Sequence, residues 1–257
     1  MVNLLRMDLY RMRKATSFWV CLGIALVVSV GQMPFAWLLT LLARTFSSDA
    51  PGLPASVTLS SLIREPFPLL NGMVAMLSAC SFFYADEENG YIKNIAGQMP
   101  RRGFTILSKF LAMIPHTLLY MMIGVGGNLM GTLFFVRVQL GGDEARALLI
   151  FLSKFLLMMS LNAILVTVVS SLRSKSLGSV LCVLMGTGLM FMIYGAINSG
   201  VYQIFRDANF DLNDFMPDQL LQAADRYTFL RCFASAAVTT GIFLPLGIRI
   251  FDRRDVK

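Results

Sequence analysis

Few side chains in this sequence could do chemistry, and none of them forms a catalytic set. His116 is the only histidine. A zinc site needs several N, S or O ligands converging on one point, and no cluster around His116 supplies them. Following Pro115, it reads as a packing or hydrogen-bonding residue. No Gly-x-x-x-x-Gly-Lys-[Ser/Thr] occurs, so the chain cannot form a phosphate-binding P-loop. A Gly-x-Ser-x-Gly elbow is also missing. Glu87-Glu88 could act as an acid–base pair for intramembrane proteolysis. However, the intramembrane CAAX-type proteases that use such a pair carry an arginine after three further residues, where this sequence has Ile92, and further histidines, where it has only His116. The expectation is a chain that is no enzyme and holds no cofactor or metal of its own. Cys21, Cys80, Cys182 and Cys232 all fall in or beside apolar runs, without a Cys-x-x-Cys pair, and read as small buried apolar side chains.

One ionisable residue stands well inside an apolar run: Lys154, in Phe151-Leu-Ser-Lys-Phe-Leu-Leu157. A charge in that setting is costly and marks a functional position by default, here a candidate for a substrate path. The other reading is that its four-carbon stem lets the ammonium snorkel to the headgroups from about two turns down the helix.

These residues must be positioned by long apolar elements. The sequence is 56% hydrophobic and 14% charged, outside the range of soluble domains in the direction of a polytopic membrane protein. Six stretches, 17–43, 67–85, 105–136, 147–171, 177–197 and 229–251, each hold about the 20 residues needed to cross a bilayer. They are too long and too continuous for barrel strands of roughly 10 alternating residues. The predicted fold is all-α: a single transmembrane domain over 1–257 with six spanning helices. The first is read as an uncleaved span, since its apolar run is too long for a signal peptide and no Ala-x-Ala site follows.

The net charge of +7 is distributed by side. With the N-terminus inside, fourteen Lys and Arg fall on the inner side and seven on the outer, while acidic residues split six inside to nine outside. Lysine and arginine favour the cytoplasmic face, so both termini are predicted to be cytoplasmic. The basic excess thus acts as a topology signal, and nucleic acid is not expected as a partner.

Two polar segments are more than connectors. In residues 3–14, Leu5, Leu9 and Met12 recur at i, i+4, i+7, as in an amphipathic helix lying in the membrane interface. After the second apolar stretch, Glu87 and Glu88 lead, Lys93 follows, and Tyr91, Ile92 and Ile95 form an apolar patch bounded by Gly97 and Pro100. Acidic start and basic finish suit the helix dipole and predict a short cytoplasmic helix. Gly127 and Gly131, a Gly-x-x-x-Gly pair in the third stretch, predict close helix approach, with Gly186, Gly188 and Gly195 in a similar part in the fifth.

The run Glu88-Asn-Gly-Tyr-Ile-Lys-Asn-Ile95 resembles the Glu-x-Gly-[Thr/Tyr]-Ile-Lys-Asn element of type-2 ABC-transporter permeases. The N-terminal Leu-x-x-Asp-Leu-Tyr-Arg-Met-Arg-Lys followed by Ser17-Phe-Trp19 is similar to that family's start, and Leu212-x-x-Phe-Met-Pro-x-x-Leu-Leu221 is a third likeness. Within the family the chain looks most like the small bacterial permeases of peptide, bacteriocin-immunity or drug export. The resemblance implies a half-exporter in the bacterial cell membrane. Two permeases, identical or homologous, would face each other over separate ABC ATPase subunits that carry ATP and Mg. The N-terminal helix and a coupling helix containing Glu87, Glu88, Tyr91, Ile92, Lys93 and Ile95 would form the docking surface. A non-transporting scaffold or sensor subunit is the alternative. A secondary transporter would want acidic residues deep in its spans, and none lies there.

Overall fold

The computed structural model describes residues 2–46, 56–67, 70–89, 103–172, 174–204 and 211–253. Helix α1 (Val2–Lys14) turns at Ala15 into α2 (Thr16–Phe46). Then come β1 (Ser56–Thr58), α3 (Leu59–Arg64), α4 (Asn71–Glu88), α5 (Gly103–Leu133), β2 (Arg137–Gln139) and α6 (Glu144–Ser171). Helices α7 (Lys175–Thr187), α8 (Phe191–Ile204), α9 (Pro217–Gln222) and α10 (Phe229–Arg253) complete the described chain, with a single 3₁₀ turn at Leu212–Asp214.

Helices α2, α5, α6 and α10 are long and apolar enough to cross a membrane. They cover the first, third, fourth and sixth predicted stretches. The other two stretches differ from full-length straight spans. The apolar part of α4 runs only Asn71–Ala85, roughly 22 Å at 1.5 Å per residue, short of the ~30 Å hydrocarbon thickness. Pro66 and Pro68 bias the residues before them away from helical backbone angles, which accounts for the late start. A short helix is tolerable here because α4 is walled by protein: Ala75, Met76, Ala79, Cys80, Phe83 and Tyr84 are buried. The fifth stretch divides at Gly188 into α7 and α8, bent by 86°. Gly188 has φ +73°, a left-handed conformation that any Cβ would disfavour, and it caps α7. The described chain therefore holds four helices long and apolar enough to span a membrane, or five if α7 and α8 together count as one span.

Burial orders the bundle. In the most apolar 18-residue windows of α5 and α6, 56% and 67% of residues are buried, against 17% and 11% in α2 and α10. Helices α5 and α6 are thus central. The outer pair turn residues such as Val20, Val27, Val238 and Ile242 outward, as lipid-facing helices do. The most extensive helix contact joins α6 to α10, followed by α2 to α5 and α4 to α7.

Buried polar side chains hydrogen-bond across the helices and tie them together. Asn71 Nδ2 donates to Ser29 Oγ (2.5 Å), Asn162 Nδ2 to Thr117 Oγ1 (3.2 Å) and Thr167 Oγ1 to the Phe243 carbonyl (2.7 Å). Glycines bring the backbones close. A Cβ on Gly127 would stand 2.6 Å from Ser29 Cβ, and one on Gly131 would run into the Val30 carbonyl. A Cβ on Gly186 would stand 2.6 Å from Met73 Cα, where α7 crosses α4. Gly195 has no neighbour at that distance.

Sequence periodicity held no sign of β1 and β2. They pair in parallel, Ser56 with Arg137 and Thr58 with Gln139, and join the segments that follow α2 and α5.

Candidate functional site

Two ends of the bundle carry the polar machinery. At the end formed by α1, the N-terminus of α5 and the C-termini of α4 and α10, carboxylates and a buried lysine lock the elements. On α1, Leu4, Asp8 and Met12 are buried, and Leu5 and Leu9 pack partly buried against the core. The predicted apolar stripe of Leu5, Leu9 and Met12 is present, with its centre shifted onto Leu4, Asp8 and Met12. An aspartate lies inside that stripe because α5 answers it. Ser108 Oγ donates to Asp8 Oδ2 (2.5 Å), and Arg11 stands 3.9 Å from the other oxygen. A buried carboxylate without such donors would cost several kcal/mol, roughly the penalty of an unpaired buried ion.

The first residue of α5 is held from the far end of the chain. The Gly103 N–H donates to Asp252 Oδ1 at 2.6 Å, which satisfies one of the free N–H groups of a helix start. Space for this bond exists because position 103 lacks a side chain: a Cβ there would stand 2.5 Å from Ile248 Cγ2. Nearly two turns further, Lys109 is buried. Its ammonium donates to the Phe83 carbonyl (2.9 Å) and lies over the Phe82 and Phe83 rings, 5.6 and 5.7 Å from their centroids. That ties the last turns of α4 to α5, so the two elements flanking 90–102 are bonded to each other. Tyr91, Ile92, Lys93 and Ile95 lie in that segment, outside the described residues. Glu87 and Glu88 are the last two residues of α4. Nothing in the sequence pattern flagged Asp252 or Lys109, whose partners are remote in the chain.

At the opposite end Lys154 is buried, with its side chain 6% exposed. The ammonium reaches Glu65, just after α3, with Nζ 4.0 Å from Oε2. It extends neither freely to solvent nor into open space. To the two predicted alternatives, a path-lining cation and a snorkelling one, the structure adds a loop carboxylate that comes to the lysine. A signal existed in the sequence: Glu65 is the only acidic residue between Asp49 and Asp86.

Next to this pair, α9 buttresses the α7–α8 bend. Gln219 Nε2 donates to the Gly188 carbonyl at 2.7 Å and to Asp218 Oδ2 at 2.9 Å, and Tyr194 Oη donates to Asp218 Oδ1 at 3.1 Å. Asp218 is buried, and burial pushes its carboxyl above the usual carboxylate range, against the lowering effect of the hydrogen bonds from Gln219 and Tyr194. A carboxyl whose folded pKa is raised favours folding fully below its unfolded value, near 4, and loses that contribution as pH climbs through the folded value. The sign predicts that parent stability falls relative to Asp218→Asn as pH rises above about 4. Thermal unfolding of both proteins in detergent across pH 4–8, on the order of the usual working range, measures it. A difference independent of pH refutes the assignment.

His116 sits in the middle of the bundle as a packed residue. Its Nε2 is 3.1 Å from Ser78 Oγ, and its ring centroid lies 4.7 Å from that of Tyr120 and 5.8 Å from that of Phe18, both in tilted contacts. Among the described residues no group of His, Cys, Asp and Glu is arranged to hold a metal ion. The chain matches no protein-family model and no curated protein.

Proposed function

We propose that this chain is the membrane-spanning permease subunit of an ATP-driven ABC exporter in the bacterial cell membrane. It works with a second permease, identical or homologous, and with separate ATPase subunits that carry ATP and Mg. Its cargo is a hydrophobic or amphipathic molecule such as a peptide, a lipid-like compound or a drug. The chain has neither a nucleotide-binding motif nor a catalytic set, so hydrolysis belongs to the partner.

The observation that carries this reading is the Glu88-Asn-Gly-Tyr-Ile-Lys-Asn-Ile95 element, set between two helices that are bonded to each other. A docking segment can pass force into a bundle only if its flanks move together. Lys109 on Phe83 and Asp252 on Gly103 provide that linkage. Helix α1, bonded to α5 through Asp8, belongs to the same unit. Both termini and residues 86–104 are assigned to the cytoplasm on the charge asymmetry.

Apolar anchors in pockets dominate interfaces of this kind, and rim charges tune them. Ile92→Asp is therefore expected to abolish co-purification of an ATPase subunit encoded beside this gene, while membrane insertion and the thermal unfolding temperature stay parental. Stoichiometric ATPase retained by Ile92→Asp shows that residues 90–102 are a linker and removes the docking assignment.

A further inference from the structure

The N-termini of α6 and α10 open onto one cleft of about 400 Å³. Arg146, in the first turn of α6, and Arg226, just before α10, line it with Leu149, Ile150, Phe229 and Asp225. We propose that this cleft binds the headgroup of an anionic phospholipid, its phosphodiester between Arg146 and Arg226 and its glycerol end over Leu149, Ile150 and Phe229.

Three observations carry the assignment. The first is unspent charge. Both arginines are exposed, and neither has a carboxylate within 4.0 Å among the described residues. By contrast the neighbouring Arg231 is engaged, 3.1 Å from Asp214 and stacked at 4.6 Å on Tyr227. Asp225 is the one acid lining the cleft, and it lies within electrostatic range of Lys154. The cleft thus presents two free cations against one shared anion.

The second observation is the direction of the helices. Thr167 bonds the Phe243 carbonyl far from the cleft, while Ile150 and Phe229 both line it, so α6 and α10 run side by side in the same direction. Two helix N-termini therefore face the same space; that of α10 has no acidic residue in its first turn, while that of α6 is partly offset by Asp143 at its cap and Glu144 in its first turn. Asp143 caps only one N–H of α6, that of Arg146, at 3.3 Å.

The third is depth. Arg146 and Arg226 stand at the starts of two membrane-crossing helices, and Leu149, Ile150 and Phe229 begin their apolar surfaces. Cations at headgroup level above an apolar floor match a phospholipid better than a soluble anion, which has nothing to place on the floor.

The test is native mass spectrometry of the purified full chain in detergent, titrated with phosphatidylglycerol or phosphatidylcholine. The parent is expected to retain phosphatidylglycerol more tightly than phosphatidylcholine. Each arginine near a lipid surface contributes about fivefold in affinity, so Arg146→Gln with Arg226→Gln should weaken phosphatidylglycerol binding by roughly twenty-fivefold. Both side chains are exposed, and the double variant should unfold at the parental temperature. Arg231→Gln should bind lipid like the parent. Parental binding by the double variant, equal retention of the two lipids, or an equal loss in Arg231→Gln overturns the site. Displacement of the lipid by millimolar glycerol 3-phosphate assigns the cleft to a soluble anion and overturns the lipid.

Discussion

Replacing Gly186 or Gly131 by alanine is expected to destabilise the protein, although alanine is the better helix former at both positions. A helical Gly→Ala change in open space gains about 0.5–1 kcal/mol. At Gly186 the new methyl would meet Met73 Cα at 2.6 Å, Met73 N at 2.8 Å and the Gly72 carbonyl at 2.9 Å. At Gly131 it would strike the carbonyl of Val30, whose carbon and Cα follow at 3.1 and 3.3 Å. Those neighbours are backbone inside helices and cannot rotate away, so α4 must part from α7, or α2 from α5. Overpacking of this kind costs about 1–3 kcal/mol and outweighs the propensity gain. Gly126, one residue before Gly127 in the same helix, has nothing within 4 Å of its Cβ position. Gly126→Ala should therefore unfold at or above the parental temperature, and Gly131→Ala and Gly186→Ala well below it. Equal unfolding temperatures for Gly126→Ala and Gly131→Ala refute the close approach. Double replacement with Val30→Gly is uninformative, because the obstacle is main chain.

The same glycines show how far sequence reasoning reaches. A Gly-x-x-x-Gly pair is a local pattern, and the structure sets Gly127 and Gly131 against α2. Long apolar runs are equally legible, because span length follows from bilayer thickness and helical rise. What escapes is anything decided by a partner remote in the chain. Gly188 is one glycine among several in its run, and the sequence does not show that it alone takes the left-handed conformation at the 86° bend, with Gln219 bonded to its carbonyl. Asp8 looks misplaced in an apolar stripe until Ser108 is seen to face it. The shortness of α4 depends on its protein surroundings, since a helix walled by neighbours need not match the hydrocarbon thickness. Lys154 was legible as unusual, because an ionisable residue in an apolar run stands out by composition alone. Its counter-charge was marked only by composition, Glu65 being the only acidic residue between Asp49 and Asp86, because α3 and the loop that present it have no periodic signal.

That pair yields the most asymmetric mutational outcome in the molecule. Lys154 is buried, and Glu65 is 59% exposed. At 4.0 Å the attraction is about 4 kcal/mol at an effective dielectric of 20, an upper figure once the exposure of Glu65 is allowed for. Glu65→Gln removes the partner and leaves the ammonium buried among apolar helices, with only the more distant field of Asp225 in compensation. Breaking a pair from that side should destabilise by roughly 1–2 kcal/mol, less than for a fully buried pair because water reaches Glu65. Lys154→Met removes the charge itself and keeps most of the stem, so it should be neutral or slightly stabilising. The double variant should then match Lys154→Met, since glutamine at 65 has no charge left to strand. Equal losses in the two single variants would instead mean that the pair acts through packing. Thermal unfolding of the four proteins decides between these outcomes. The Lys154→Met protein, folded by this reasoning, also tests the proposed export function's substrate path: transport at the parental rate without the ammonium excludes Lys154 from that path and leaves it the task of anchoring the Glu65 loop.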